Sequence, residues 1–267
     1  MTKEEIKSLI LQNSFAEDID LWAEYLYEIQ EVFPYVKNKD VLEIGPMHGF
    51  HTKLMQYHKT NHVTMIEPAT HLCTDLKKDF PKYKVHNDDI YMFLSKPKKF
   101  DVVVCFGVLY HLHSPIYLLE LIRNRVDPDY IIMESTVGRL EKELEIKNKD
   151  VLFSEFERSE YFIKKGTYKQ TVQNYGKWLR KRKVKRESHA AWYEIEQDNI
   201  PGNRYTLEWK SAGLNLQTTQ YIFEIALRNL GYKQLYRKNL YGKVRHQSKQ
   251  NCLVSVWGNK RLFKSTL

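Results

Sequence analysis

Glycine and proline are scarce, 11 and 8 residues in a chain of 267, which excludes collagen-like repeats and proline-rich spacers. Cysteine is scarcer still. Cys73, Cys105 and Cys252 lie far apart and form no Cys-x-x-Cys pair, so neither a disulfide framework nor a zinc-holding cluster is expected, and a reducing cytoplasm fits. No run approaches the roughly 20 apolar residues of a membrane span. The start, Met1-Thr2-Lys3-Glu4-Glu5, mixes charges where a secretory leader would open basic and turn apolar. A soluble chain with no membrane partner and no metal is the expectation.

What is present is enough to close a core: hydrophobic residues make up 42% and aromatics 13% of the chain, which excludes a wholly disordered polypeptide. Lys and Arg number 42 against 33 Asp and Glu, a net charge of +9. The excess is uneven. Lys177, Arg180, Lys181, Arg182, Lys183, Lys185 and Arg186 fall within ten residues, flanked by Tyr168, Tyr175, Trp192 and Tyr193. Cations mixed with aromatics suit RNA, and a solvated charged face suits the same run.

Apolar residues at helical spacing predict helices over 3–12 and 18–33, the second stopped by Pro34. Beyond it, short β-rich runs alternate with amphipathic stretches: 41–44 then 50–57, 63–66 then 70–80, 83–86 then a turn over 90–94, 101–105 then 115–123, and 130–133. Continuous apolar strands alternating with helices mean a parallel sheet covered on both faces. The alternation fails from 137 to 205, where helices but no clear strand are expected. It resumes with a helix over 218–229 and strands over 232–236 and 252–257, the last pairing antiparallel. The expected organisation is an N-terminal helical extension (1–35), a nucleotide-binding core (36–136), an inserted lid (137–205) and the closing part of the core sheet (206–267). The fold is a Rossmann-like, seven-stranded, mostly parallel α/β sheet with an antiparallel last strand.

The first strand runs into Glu43-Ile44-Gly45-Pro46-Met47-His48-Gly49 and then a helix. In an open parallel sheet the ligand lies beyond the carboxyl ends of the strands, where glycine lets the backbone come close. An ordinary strand-to-helix turn would look the same. Two further strand ends add weight. Glu67 closes the second strand, where a carboxylate can accept both hydroxyls of a ribose. Asp89 follows the third, placed to take a hydrogen bond from an adenine amine while Ile90 packs on the ring. The glycine loop lacks both the Gly-Lys-Ser/Thr ending of phosphate loops and the Gly-x-Gly-x-x-Gly of dinucleotide enzymes.

These residues resemble the class I S-adenosylmethionine-dependent methyltransferases, whose loop reads acid-x-Gly-x-Gly-x-Gly. This chain keeps the first and last glycine and places Met47 at the middle one, narrowing the space over the donor's methionine moiety. The resemblance runs over about 36–136 and includes Phe106-Gly107-Val108-Leu109-Tyr110-His111-Leu112-His113-Ser114-Pro115. It implies S-adenosyl-L-methionine as cofactor, bound by Glu43, Gly45, Gly49, Glu67, Pro68, Asp89, Ile90 and Phe106. Local words are similar to the carboxymethyl-transferring enzymes of tRNA wobble uridine: Gly49-Phe50-His51, Glu67-Pro68-Ala69-Thr70, Val108-Leu109-Tyr110-His111 and Ile200-Pro201-Gly202-Asn203-Arg204-Tyr205.

By position, Tyr110 and His111 stand at the mouth of the donor site, where a neutral imidazole can take a proton from an attacking hydroxyl or amine; a structural cap is the competing use. His113, Trp192 and Arg204 are expected to touch the acceptor, Arg204 through a carboxylate or phosphate. The expected activity is methyl transfer to oxygen or nitrogen of a small or sugar-like acceptor. Two alternatives stand beside it, a tRNA-modifying methyl or carboxymethyl transferase gripping RNA through 177–186, and a non-catalytic binding module. A dimerisation arm is the competing use of the aromatic insertion.

Overall fold

The computed structural model describes residues 1–12, 19–112, 114–137, 193–196, 214–217, 220–240 and 251–263. Two helices open the chain, α1 (Lys3–Ile10) and α2 (Ile19–Ile29). Thr2 caps α1 by accepting from the Glu5 backbone while Glu5 reaches back to the Thr2 amide, a reciprocal box that satisfies two otherwise unpaired donors. The second helix ends earlier than its apolar pattern suggests. Pro34 has no N–H for the Gln30 carbonyl and its ring crowds that carbonyl, so the chain tightens into a 3-10 helix over Gln30–Val36.

The core then follows strand by strand: β1 (Asp40–Ile44), α3 (Phe50–Tyr57), β2 (His62–Ile66), α4 (Thr70–Asp79), β3 (Lys84–His86), α5 (Ile90–Phe93), β4 (Val102–Phe106), α6 (Pro115–Leu121) and β5 (Tyr130–Val137). A π turn over Ile122–Val126 extends α6. After β6 (Tyr193–Glu196) and β7 (Leu214–Gln217) come α7 (Gln220–Asn229), β8 (Tyr232–Asn239) and β9 (Asn251–Asn259). Seven strands form one sheet in the order β3-β2-β1-β4-β5-β9-β8. Strands β1 to β5 are parallel, and β9 runs antiparallel to both β5 and β8.

Alternate residues of each strand feed two cores. Leu42, Ile44, Val103, Cys105, Ile131 and Met133 pack against α6 and α7. Val41, Met65, Val104, Phe106 and Ile132 pack against α1, α2 and α3. This is the pattern that strands buried on both faces require. Pairing of β6 with β7 in a separate antiparallel ribbon differs from the expectation that 137–205 carries no strand. Four residues of β6 are too few for a periodicity to stand out in so charged a segment, and their partner lies beyond it. Among the described residues no helix is long and apolar enough to cross a membrane.

Candidate active site

Parallel pairing brings the carboxyl ends of β1, β2, β4 and β5 to one edge, and the expected loop residues gather there. Gly45 takes φ +66° and its N–H donates to the Ile66 carbonyl at 2.9 Å, tying the loop to the end of β2. A Cβ on Gly45 would stand 2.5 Å from Val108 Cγ2, so the loop meets the loop after β4 through bare backbone. Gly49 caps α3 at φ +75°, where a Cβ would overlap the Phe80 ring. Met47 adopts φ +55°, the left-handed region natural to glycine. It keeps the loop's course at a cost of about 1–2 kcal/mol, and its N–H donates to Glu67 Oε2 at 3.2 Å.

Glu67 is 1% exposed, and its other oxygen accepts the Ala69 N–H at 3.0 Å. Pro68 follows it, its carbonyl accepting from Asn87 Nδ2 at 2.8 Å. Glu43 is buried beside them. Its Oε2 accepts from the Thr52 hydroxyl at 2.6 Å, and Oε1 has no partner among the described residues. Burial pushes the Glu43 carboxyl up to about 8; the Thr52 hydrogen bond opposes this and the nearby Glu67 charge adds to it. A carboxyl protonated in the folded chain and ionised in the unfolded one loses stability as pH rises from its ordinary value to the folded one. Above pH 6.5 the histidines His51 and His111, held neutral by burial, no longer contribute. Glu134, pushed up to about 7 by burial, acts in the same direction as Glu43 over its own narrower range. Between pH 6.5 and 8 the wild type is therefore expected to lose up to about 2 kcal/mol more stability than Glu43→Gln. Urea melts of both proteins at the two pH values check this.

Asp89 caps α5, its Oδ1 accepting from Tyr91 and Met92 at 2.8 and 3.2 Å, and Ile90 is buried in the core behind it. Phe106, the last residue of β4, stands in register with Glu134 of β5. Glu134 was not singled out from the sequence. It is 3% exposed, takes hydrogen bonds from the Gly107 N–H and the Cys252 thiol, and ties the tops of β4, β5 and β9 together. The signal was there: it closes the apolar run of β5 as Glu67 closes β2. Tyr110 and His111 occupy a short 3-10 turn, Leu109–His111, after β4, beside β7. Burial pulls His111 down to about 4, so it is neutral at physiological pH. His113, Trp192, Arg204 and the basic run 177–186 lie outside the described residues.

A seven-stranded sheet with one reversed strand, a glycine turn after β1 and an acidic residue closing β2 define a Rossmann-like nucleotide-binding protein. The methyltransferase domain family matches residues 17–177, more than half of the chain, and the chain belongs to that family. It is a class I S-adenosylmethionine-dependent methyltransferase, and S-adenosyl-L-methionine is its cofactor. The buried Oε1 of Glu43, unpartnered among the described residues, leaves a polar atom at this edge that a bound donor would satisfy.

Among curated proteins, the chain is 27% identical over 157 residues to the tRNA U34 carboxymethyltransferase of Nautilia profundicola, covering 56% of this chain and 49% of that protein. The chain thus matches about half the length of that relative. Among solved structures, an S-adenosylmethionine-dependent methyltransferase from Mesorhizobium loti matches with TM-score 0.52 at 10% identity, over 88% of this chain and 97% of that one. The N-methyltransferase NodS of Bradyrhizobium japonicum WM9, solved with S-adenosyl-L-homocysteine, matches with TM-score 0.52 at 11% identity, over 97% and 98%. At such identities these two likenesses speak for the fold.

Proposed function

We propose that the protein transfers a methyl group to an oxygen or nitrogen of a small or sugar-like acceptor. The observation that carries this reading is the gathering of Glu43, Gly45, Gly49, Glu67 and Phe106 at one sheet edge, with the turn bearing Tyr110 and His111 beside them. Glu67 takes the donor's ribose hydroxyls with the lone pairs its two amide bonds leave, Asp89 and Ile90 take the adenine, and the glycine loop takes the methionine moiety. Methyl transfer asks little covalent chemistry of the protein, because the sulfonium already carries its leaving group and alignment supplies much of the rate. His111, neutral, can accept a proton from the attacking group. His113, Trp192 and Arg204 complete the acceptor contacts in this reading. The three cysteines are buried and joined in no disulfide, which supports a reducing, cytoplasmic setting.

The experiment is transfer from a donor carrying a deuterated methyl group, with the small-metabolite and RNA fractions of a cell extract offered separately. Label in the small-metabolite fraction is the expected result; label confined to RNA overturns the acceptor assignment.

The likeness to the Nautilia profundicola enzyme favours a second reading, a tRNA-modifying transferase that grips phosphates through 177–186. It requires RNA affinity that falls steeply with salt and is lost when Arg180, Lys181, Arg182 and Lys183 are changed together to Gln. Each phosphate contact removed flattens the slope of log affinity against log salt by about 0.7–0.9. RNA binding insensitive to salt removes this reading.

A further inference from the structure

His51, in the first turn of α3, is 8% exposed, and its Nε2 is buried without a hydrogen-bond partner among the described residues. Three aromatic rings surround the imidazole. Trp22 and Tyr25 of α2 lie 6.2 and 5.7 Å away, nearly perpendicular at 81° and 82°, and Phe106 lies 4.6 Å away at 39°. A Leu or Phe would fill this apolar site with no polar atom left unpaired, so an imidazole there calls for a reason. Its place supplies one. His51 follows Gly49 by two residues and touches the last residue of β4, so it stands at the edge where the donor is expected.

We propose that His51 Nε2 anchors the acceptor, in a site between α2 and the end of β4 that takes a planar, uncharged ring bearing one hydroxyl or amine. This rests on the small-acceptor reading above and names its substrate class. The walls are aromatic, which suits a flat ring. The imidazole stays neutral because burial pulls its pKa down to about 3, so with the proton on Nδ1 it offers Nε2 as an acceptor. An anion would lose its hydration in this apolar setting. Given the acceptor's O–H or N–H, Nε2 turns the attacking lone pair towards the donor's methyl; as the new C–O or C–N bond forms and the donor's C–S bond breaks to leave neutral S-adenosyl-L-homocysteine, the acceptor's proton becomes acidic enough to pass to Nε2 and on to water. His51 is in this sense a positioning residue, and Trp22 and Tyr25 of α2 form one wall of the site.

The competing use of His51 is purely internal, an N–H aimed at the face of Trp22 or Tyr25. NMR of protein loaded with S-adenosyl-L-homocysteine separates the two. Phenol serves as the probe ring with one hydroxyl, and toluene as the same ring without it. Phenol at millimolar concentration is expected to shift the His51 Nε2 resonance, and toluene to leave it in place. His51→Leu is expected to keep its affinity for S-adenosyl-L-homocysteine within twofold while losing phenol affinity at least tenfold, and His51→Gln to recover part of that loss. An unshifted Nε2 resonance, or equal phenol affinity in wild type and His51→Leu, overturns the proposal in favour of internal packing. A tenfold loss of S-adenosyl-L-homocysteine affinity in both variants overturns it in favour of a donor contact. Failure of the wild type to bind S-adenosyl-L-homocysteine at all would instead strike the donor site on which it rests.

Discussion

Glu67→Ala is expected to lower affinity for S-adenosyl-L-methionine by about ten- to a hundredfold and to destabilise the fold as well. The two effects have different origins. Loss of hydrogen bonds from ribose hydroxyls to a charged acceptor is worth about 1.5–3 kcal/mol. Independently, the Met47 and Ala69 amides lose the carboxylate they donate to at 3.2 and 3.0 Å. Stranding two N–H groups near a buried position costs about 1–3 kcal/mol each. Calorimetric titration reads the first effect, and urea melts without ligand read the second. Donor affinity unchanged in the variant would remove Glu67 from the ribose site, whatever happens to stability.

Gly45→Ala should destabilise the fold through backbone and packing together. An alanine at φ +66° pays about 1–2 kcal/mol for the left-handed backbone, and its Cβ, 2.5 Å from Val108 Cγ2, adds about 1–3 kcal/mol of overlap. A loss of about 2–5 kcal/mol follows, read as a lower midpoint in urea. Val108→Ala in the same chain should return the overlap part and leave the backbone part. Equal stabilities for Gly45→Ala with and without the Val108 change would contradict the close approach of the two loops.

The central sheet was readable because its strands are buried on both faces and so appear as largely apolar runs, unbroken over Val102 to Phe106 and Ile131 to Met133. Glycine at positive φ and acids at strand ends are local features, so Gly45, Gly49 and Glu67 could be singled out from the chain alone. What escaped depends on pairing between distant segments. Glu134 gains its meaning only when β9 places Cys252 beside it. His51 looked like part of a short word until α2 brought Trp22 and Tyr25 against its ring. Asp89 shows a further gap, since its first engagement is with the amides of α5, a use that composition and spacing share with ligand binding. Met47 looked like an obstacle, and its backbone takes the conformation of the glycine it replaces.

The most direct test of the central claim, a class I methyltransferase whose donor lies across the ends of β1 to β4, is calorimetric titration of the whole chain with S-adenosyl-L-methionine and S-adenosyl-L-homocysteine. One-to-one binding with a dissociation constant between about 1 μM and 1 mM is predicted for the donor, the range in which enzymes ordinarily bind their substrates. Affinity for both ligands should fall by about ten- to a hundredfold in Glu67→Ala. Absence of binding by either ligand at millimolar concentration to a folded wild-type chain would contradict it.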